Sequence, residues 1–145
     1  MDAKTIMGKS IELWKAHDRD GYLALFDDSV VFFDPTGQQL TGREEFGRGF
    51  YDVLTDAYPD REVKDPVVFG EGELVCFQAR AVGTHTGILR VPEGEIPPTG
   101  KPFDVPLVMI AEVRDGKVTR AWHYYDRLLG LEQIGIVSLD QMFAQ

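Results

Sequence analysis

The sequence is poor in several features that would fix a function class at once. It has one cysteine, Cys76, among 145 residues, which excludes an internal disulfide and a thiolate zinc site. No apolar run approaches the roughly 20 residues that a bilayer-crossing helix requires. The first segment, MDAKTIMGKSIELW, carries charges where a secretory signal needs an apolar block, so a cytoplasmic protein without a membrane partner is expected. Basic residues are in deficit, with 15 Lys and Arg against 24 Asp and Glu, a formal net charge of -9. No basic cluster interrupts that surface, so phosphate backbones are repelled and no nucleic-acid partner is expected. Histidine is scarce, at three residues. Two of them could hold a metal only with a third ligand, and His17 falls at a helix end, so no metal or cofactor is expected.

What is present suits one domain over residues 1–145: the chain is 43% hydrophobic and 11% aromatic, enough to fill a core. Residues 3 to 17 place Met7, Ile11 and Trp14 on one helical stripe. Asp18 suits the cap of a second short helix carrying Tyr22, Leu23, Leu25 and Phe26. SVVFFDP is a strand stopped by Pro35. Thr41 and Glu44 have capping-box spacing and open a third helix with Phe46, Phe50, Val53, Leu54 and Ala57 along one face. Pro59 ends it.

The second half alternates as strands do. REVKDPVVFGEG is interrupted by Pro66 and suits an edge. ELVCFQARAVGTHTG follows, then KPFDVPLVMIAEVR and KVTRAWHYYD, joined through Asp115–Gly116, a hairpin signal. ILRVPEGEIPPTGK, within residues 88–101, is either a rim loop over a pocket mouth or a surface loop with no role. A short helix is expected after Leu128 and an adaptable tail after Gly135. Helices followed by strands predict an α+β fold: a cone-shaped, curved, mostly antiparallel sheet wrapped around three N-terminal helices.

The hairpin sets which side chains look inward. Centred at Gly116, it pairs Glu112 with Arg120, opposite charges that favour this register. Leu107, Met109, Ala111 and Val113 then share the inner face with Thr119, Ala121, His123 and Tyr125. Met109 faces His123. Val108, Ile110, Trp122 and Tyr124 lie outside as an apolar patch, which predicts a homodimer through this sheet unless the C-terminal tail folds over it. On the preceding strand Val75, Phe77, Ala79, Ala81, Gly83 and His85 share the inner parity, and Cys76 the outer one.

The segments LWKAHDRDGYLALFDDSVVFFDP, LTGREEF, AYPD, GTHTG, PPTGK and DGKVTRAWHYYDRLLGLEQIG occur in the order seen in SnoaL-like polyketide cyclases. The resemblance spans roughly residues 10 to 135. It implies the cystatin-like cone shared with ketosteroid isomerase, scytalone dehydratase, limonene epoxide hydrolase and nuclear transport factor two. It also implies ring closure by intramolecular aldol condensation, with an aspartate of the last strand moving protons and a histidine of its neighbour assisting. Those two positions fall on His123 and Met109, so both acid-base identities differ here. Asp126 matches a second acidic position of the family, where it can equally cap the next turn. The epoxide-hydrolase arrangement, an arginine between two carboxylates, has no counterpart on the inner face, so that reaction is the weaker expectation.

From the residues themselves, His123 in an apolar pocket stays neutral near pH 7 and can act as a general base on a proton α to a carbonyl. Tyr125, on the same face, can donate a hydrogen bond to the enolate oxygen. His85 can serve as a second acid or base. Trp14, Phe33, Tyr58, Phe77, Leu107 and Met109 are expected to line the pocket. The expected activity is that of a cofactor-free cyclase, isomerase or lyase acting on a small hydrophobic carbonyl compound of polyketide or steroid type. Structural roles stand beside these: His123 and Tyr125 as core residues, His85 and Asp34 as turn formers. A non-catalytic binding protein and a dimeric accessory protein are the alternative functions.

Overall fold

The computed structural model describes residues 1–144. Helix α1 (Ala3–Lys15) starts at Asp2, whose carboxylate accepts from the Thr5 N–H at 2.8 Å. Helix α2 (Arg19–Ala24) starts at Asp18, which accepts from the Gly21 N–H at 2.9 Å. Both caps satisfy amide donors that the first helical turn leaves free. Strands β1 (Phe26–Phe33) and β2 (Gln39–Thr41) lead to the third helical segment, α3 (Arg43–Phe46), a π-helical turn (Gly47–Tyr51) and α4 (Asp52–Ala57). The expected capping box does not form. Gly42, at φ 92°, occupies the cap position, a conformation closed to threonine at low cost. The Thr41 N–H donates instead to the Glu45 carboxylate at 2.7 Å.

The remaining elements are β3 (Glu62–Glu71), β4 (Leu74–Thr84), β5 (Leu89–Val91), β6 (Gly94–Ile96), β7 (Pro102–Arg114), β8 (Lys117–Tyr125), α5 (Arg127–Gln133) and α6 (Leu139–Phe143). Six strands form one sheet in the order β2-β1-β8-β7-β4-β3. Only β1 and β8 run parallel. The two ends of the order do not pair with each other, so the curved sheet stays open. Helix α1 packs against β3, β4 and β7, closing the concave side. This is the α+β architecture expected from the sequence.

The hairpin register is as predicted: Leu107 faces Tyr125, Met109 faces His123 and Glu112 faces Arg120. Asp115 and Gly116 both have positive φ, 52° and 73°, as a type I′ turn requires. Below Glu112 the register shifts, and Val113 pairs with Val118. Val118 therefore points into the core and Thr119 does not, correcting the parity expected there; Thr119 donates its hydroxyl to the Glu112 carbonyl at 3.2 Å. The Glu112–Arg120 ion pair also fails to form. Glu112 lies 3.4 Å from Arg114, while Arg120 rests over the Trp122 ring at 5.2 Å. Pro66 sits on the edge strand β3, at an irregularity of the β3–β4 pairing, where its missing N–H costs no ladder bond.

The final helix begins at Arg127, one residue before the expected start, and the segment after Gly135 contains α6 rather than plain tail. Among the described residues no helix is long and apolar enough to cross a membrane.

Candidate active site

The inner face of the β7–β8 hairpin meets α1 and the helical segment at 43–57 around an apolar cavity of about 90 Å3. Trp14, Tyr58, Phe77, Leu107, Met109, His123 and Tyr125 line it, as the sequence predicted. Phe33 does not. It faces outward and stacks on Trp122 at 5.7 Å; its neighbour Phe32, fully buried, takes the inward place and packs on Phe46 and Phe50, each at 4.8 Å. Continuous apolar sequence such as VVFF carries no alternation from which to choose between the two.

His123 is 5% exposed. The Phe50 ring stands edge-on to it at 5.2 Å, and Tyr125 and Phe32 lie at 5.3 and 6.2 Å. No charge sits close enough to favour the imidazolium, and burial pushes the imidazole pKa down to about 4. Its Nδ1 is sealed from solvent with no hydrogen-bond partner among the described residues. The Tyr125 hydroxyl is held protonated by burial, with Arg127 opposing that rise and Asp34 adding to it. A second, more polar cavity of about 270 Å3 shares Phe50, Leu54, Tyr58, His123 and Tyr125 with the first. His123 and Tyr125 thus stand where an apolar chamber meets a vestibule walled by Asp34, Thr36, Gln38 and Arg127.

The imidazole pKa has a stability consequence of defined sign. The folded chain resists protonation at His123 while the unfolded chain takes up a proton below pH 6.5. Stability is therefore full above pH 6.5 and falls between pH 6.5 and 4 by about 3 kcal/mol. Urea unfolding of the wild type and of His123→Leu at pH 7.5 and 4.5 isolates this contribution. The variant is expected to lose that much less on acidification; equal losses would show that the imidazole is not protected.

The other expected site residues lie elsewhere. His85 is buried but lines neither cavity. Its backbone N–H donates to the Lys101 carbonyl at 2.9 Å, the Gly100 N–H donates to its carbonyl at 2.8 Å, and the Thr99 N–H donates to its Nδ1 at 3.3 Å. It pins the 97–101 segment against Tyr58, which corrects its expected place on the cavity wall. Asp126 caps α5, accepting from the Leu129 N–H at 2.9 Å. Asp34 closes its turn by accepting from the Thr36 and Gln38 amides at 2.8 and 3.1 Å. Cys76 lies on the outer parity, where partial burial raises its thiol pKa. The expected rim loop is a β5–β6 hairpin, and its Leu89, Arg90 and Val91 wall the vestibule.

Sequence reasoning missed Phe50, Leu54, Phe103, Val105 and Arg61 as cavity residues. Phe50 and Leu54 had been placed on the right helical face, but nothing tied that face to this chamber. Arg61 gave no signal beyond sharing strand parity with Val63. Among the described residues no three His, Cys, Asp or Glu side chains come together as metal ligands.

A model of the SnoaL-like domain matches residues 8–121. Among solved structures, a candidate polyketide cyclase of Pseudomonas putida KT2440 superposes with a TM-score of 0.81 at 22% identity, covering 92% of this chain and 98% of that one. A candidate SnoaL-like polyketide cyclase of Jannaschia sp. CCS1 gives 0.77 at 26% identity, over 95% and 97%. A protein of ketosteroid isomerase-like fold from Catenulispora acidiphila DSM 44928, in complex with trimethylamine, gives 0.73 at 22% identity, over 91% and 93%. A sequence search of curated proteins returns no match. The domain match covers most of the chain, and the cone is common to the solved structures: the chain belongs to the SnoaL-like domain family.

Proposed function

We propose that the chain is a cofactor-free proton-transfer enzyme acting on a small hydrophobic carbonyl compound, of the cyclase, isomerase or lyase kind. The observation that carries this reading is a neutral, buried imidazole beside a buried phenol at the meeting of two cavities. Nδ1 keeps its hydrogen in the sealed position and leaves Nε2 to accept a proton from the carbon α to the carbonyl. Tyr125 donates to the oxygen on which the enolate charge develops. A pKa near 4 makes the empty-site imidazole a weak base. A bound enolate would raise it, because the anion is the counterion that the apolar wall lacks. Exchange of the α-protons of 2-tetralone for deuterium, followed by NMR in D2O, tests this directly: the protein is expected to accelerate it well above buffer, and no acceleration would remove the proposal.

A second reading is a ligand-binding protein without turnover. The identities at His123 and Met109, which differ from those the cyclase resemblance implies, favour it, and binding of 2-tetralone with no exchange would support it.

We also propose that the outer face carries a homodimer interface. Phe69, Cys76, Ile110, Trp122 and Phe33 follow one another across five paired strands. Val108 and Tyr124 pair in the next row, and Tyr124 and Phe69 are 56% and 53% exposed. The C-terminal segment leaves this face open. Sedimentation velocity is expected to find a dimer that Trp122→Gln with Tyr124→Glu converts to monomer; a dimer that survives both changes would place the interface elsewhere.

A further inference from the structure

One cation in the chamber has no anion. Arg61, just before β3, is 4% exposed and lines the apolar cavity. Its guanidinium lies flat over Trp14 at 4.1 Å and near the Tyr51 ring at 5.2 Å, and Nη1 donates to His17 Nδ1 at 2.7 Å. Nε and Nη2 have no acceptor among the described residues. The other polar side chains on this wall are engaged: Ser10 donates to the Met7 carbonyl at 2.7 Å, and Glu62 is turned to Lys64 at 2.7 Å. A buried charge with two unsatisfied donors is costly unless something completes it.

The two free nitrogens define the missing group. Nε and Nη2 share one edge of the guanidinium, the edge that takes a carboxylate through two parallel hydrogen bonds. Arg19 shows that geometry in the same chain, donating from Nε and Nη2 to the two oxygens of Asp52 at 2.8 and 2.9 Å. Aromatic faces above and beside Arg61 fix the fork in place and exclude water, which strengthens an ion pair formed there.

We infer that Arg61 is a carboxylate-binding subsite of the cavity, and that the ligand is an aromatic or otherwise apolar acid whose carboxylate pairs with the Nε–Nη2 edge. Trp14 contacts Phe50, and Phe50 contacts His123, so two aromatic side chains separate the anchor from the imidazole. A ligand held by its carboxylate at Arg61 would extend along that wall toward His123 and Tyr125. This inference rests on the cavity being the ligand site of the proposed function, and not on any chemistry at His123.

The test is an NMR titration with benzoate and with benzamide, which has the same ring and no charge. Wild type is expected to bind benzoate at least tenfold more tightly. Arg61→Gln is expected to bring the two within about twofold by weakening benzoate alone, and Arg61→Lys to keep part of the preference. His123→Leu is expected to keep all of it, which separates this subsite from the proton-transfer reading. Equal affinities in wild type, or no binding of either compound, would overturn the inference without any variant having to fold. A preference that persists in Arg61→Gln would overturn it equally.

Discussion

Replacing His123 with leucine is expected to separate activity from stability. Exchange at the α-carbon of 2-tetralone should fall on the order of 10²–10⁴-fold, the range that a positioned general base supplies. Stability at pH 7.5 should stay level or rise. The imidazole is surrounded by Phe32, Phe50 and Tyr125, and its Nδ1 is unpartnered. A side chain of similar size with no polar atom removes a desolvation cost of about 1–3 kcal/mol. Exchange kinetics and thermal unfolding on the same preparation check both halves. A variant that exchanges as fast as wild type would end His123's role as base. One that unfolds much earlier would make His123 a structural residue whose packing outweighs its orphaned nitrogen.

The second large effect is the contrast between two adjacent phenylalanines. Phe32→Ala is expected to cost about 3–5 kcal/mol, because it empties a fully buried site between Phe46 and Phe50. Phe33→Ala is expected to cost roughly 1 kcal/mol, the value of one aromatic stack on the outer face. Chemical denaturation of both variants measures the difference. Equal costs would mean that β1 does not separate core from outer face in the way described. The same substitution at position 33 should weaken self-association, since its ring supports Trp122.

These two pairs of residues also show what the sequence can carry. The register that sets Met109 opposite His123 was legible because Asp115–Gly116 admits few turns, and a turn counts residues for both strands. The register shift below Glu112 was not legible: nothing local marks Thr119 as the residue turned away from the core. Phe33 was misplaced because parity needs alternation, and β1 has four consecutive apolar residues at 30 to 33. His85 kept the correct parity through β4, but the strand ends at Thr84, and beyond that the chain direction is set by Thr99, Gly100 and Lys101. Arg61 was hidden for a different reason. A charge in YPDREV suggests solvent, and only the helix carrying Trp14, the π-turn carrying Tyr51 and the loop carrying His17 turn that place into an interior. Elements depended on local pattern and could be read; the chamber depended on several elements arriving together.

The π-turn at Gly47–Tyr51 has a consequence for how this chain tolerates length change. A π-turn holds one residue more than the α-helical turn it replaces, and one helical residue is worth about 100° of rotation. Deleting Gly49 would let the segment relax into ordinary helix, with better backbone bonding, yet it would swing everything after it about the axis. Leu54 would leave the chamber wall, and Asp52 would be carried away from Arg19. The surplus residue therefore acts as a phase setting, timing the second half of the helix to the sheet it covers.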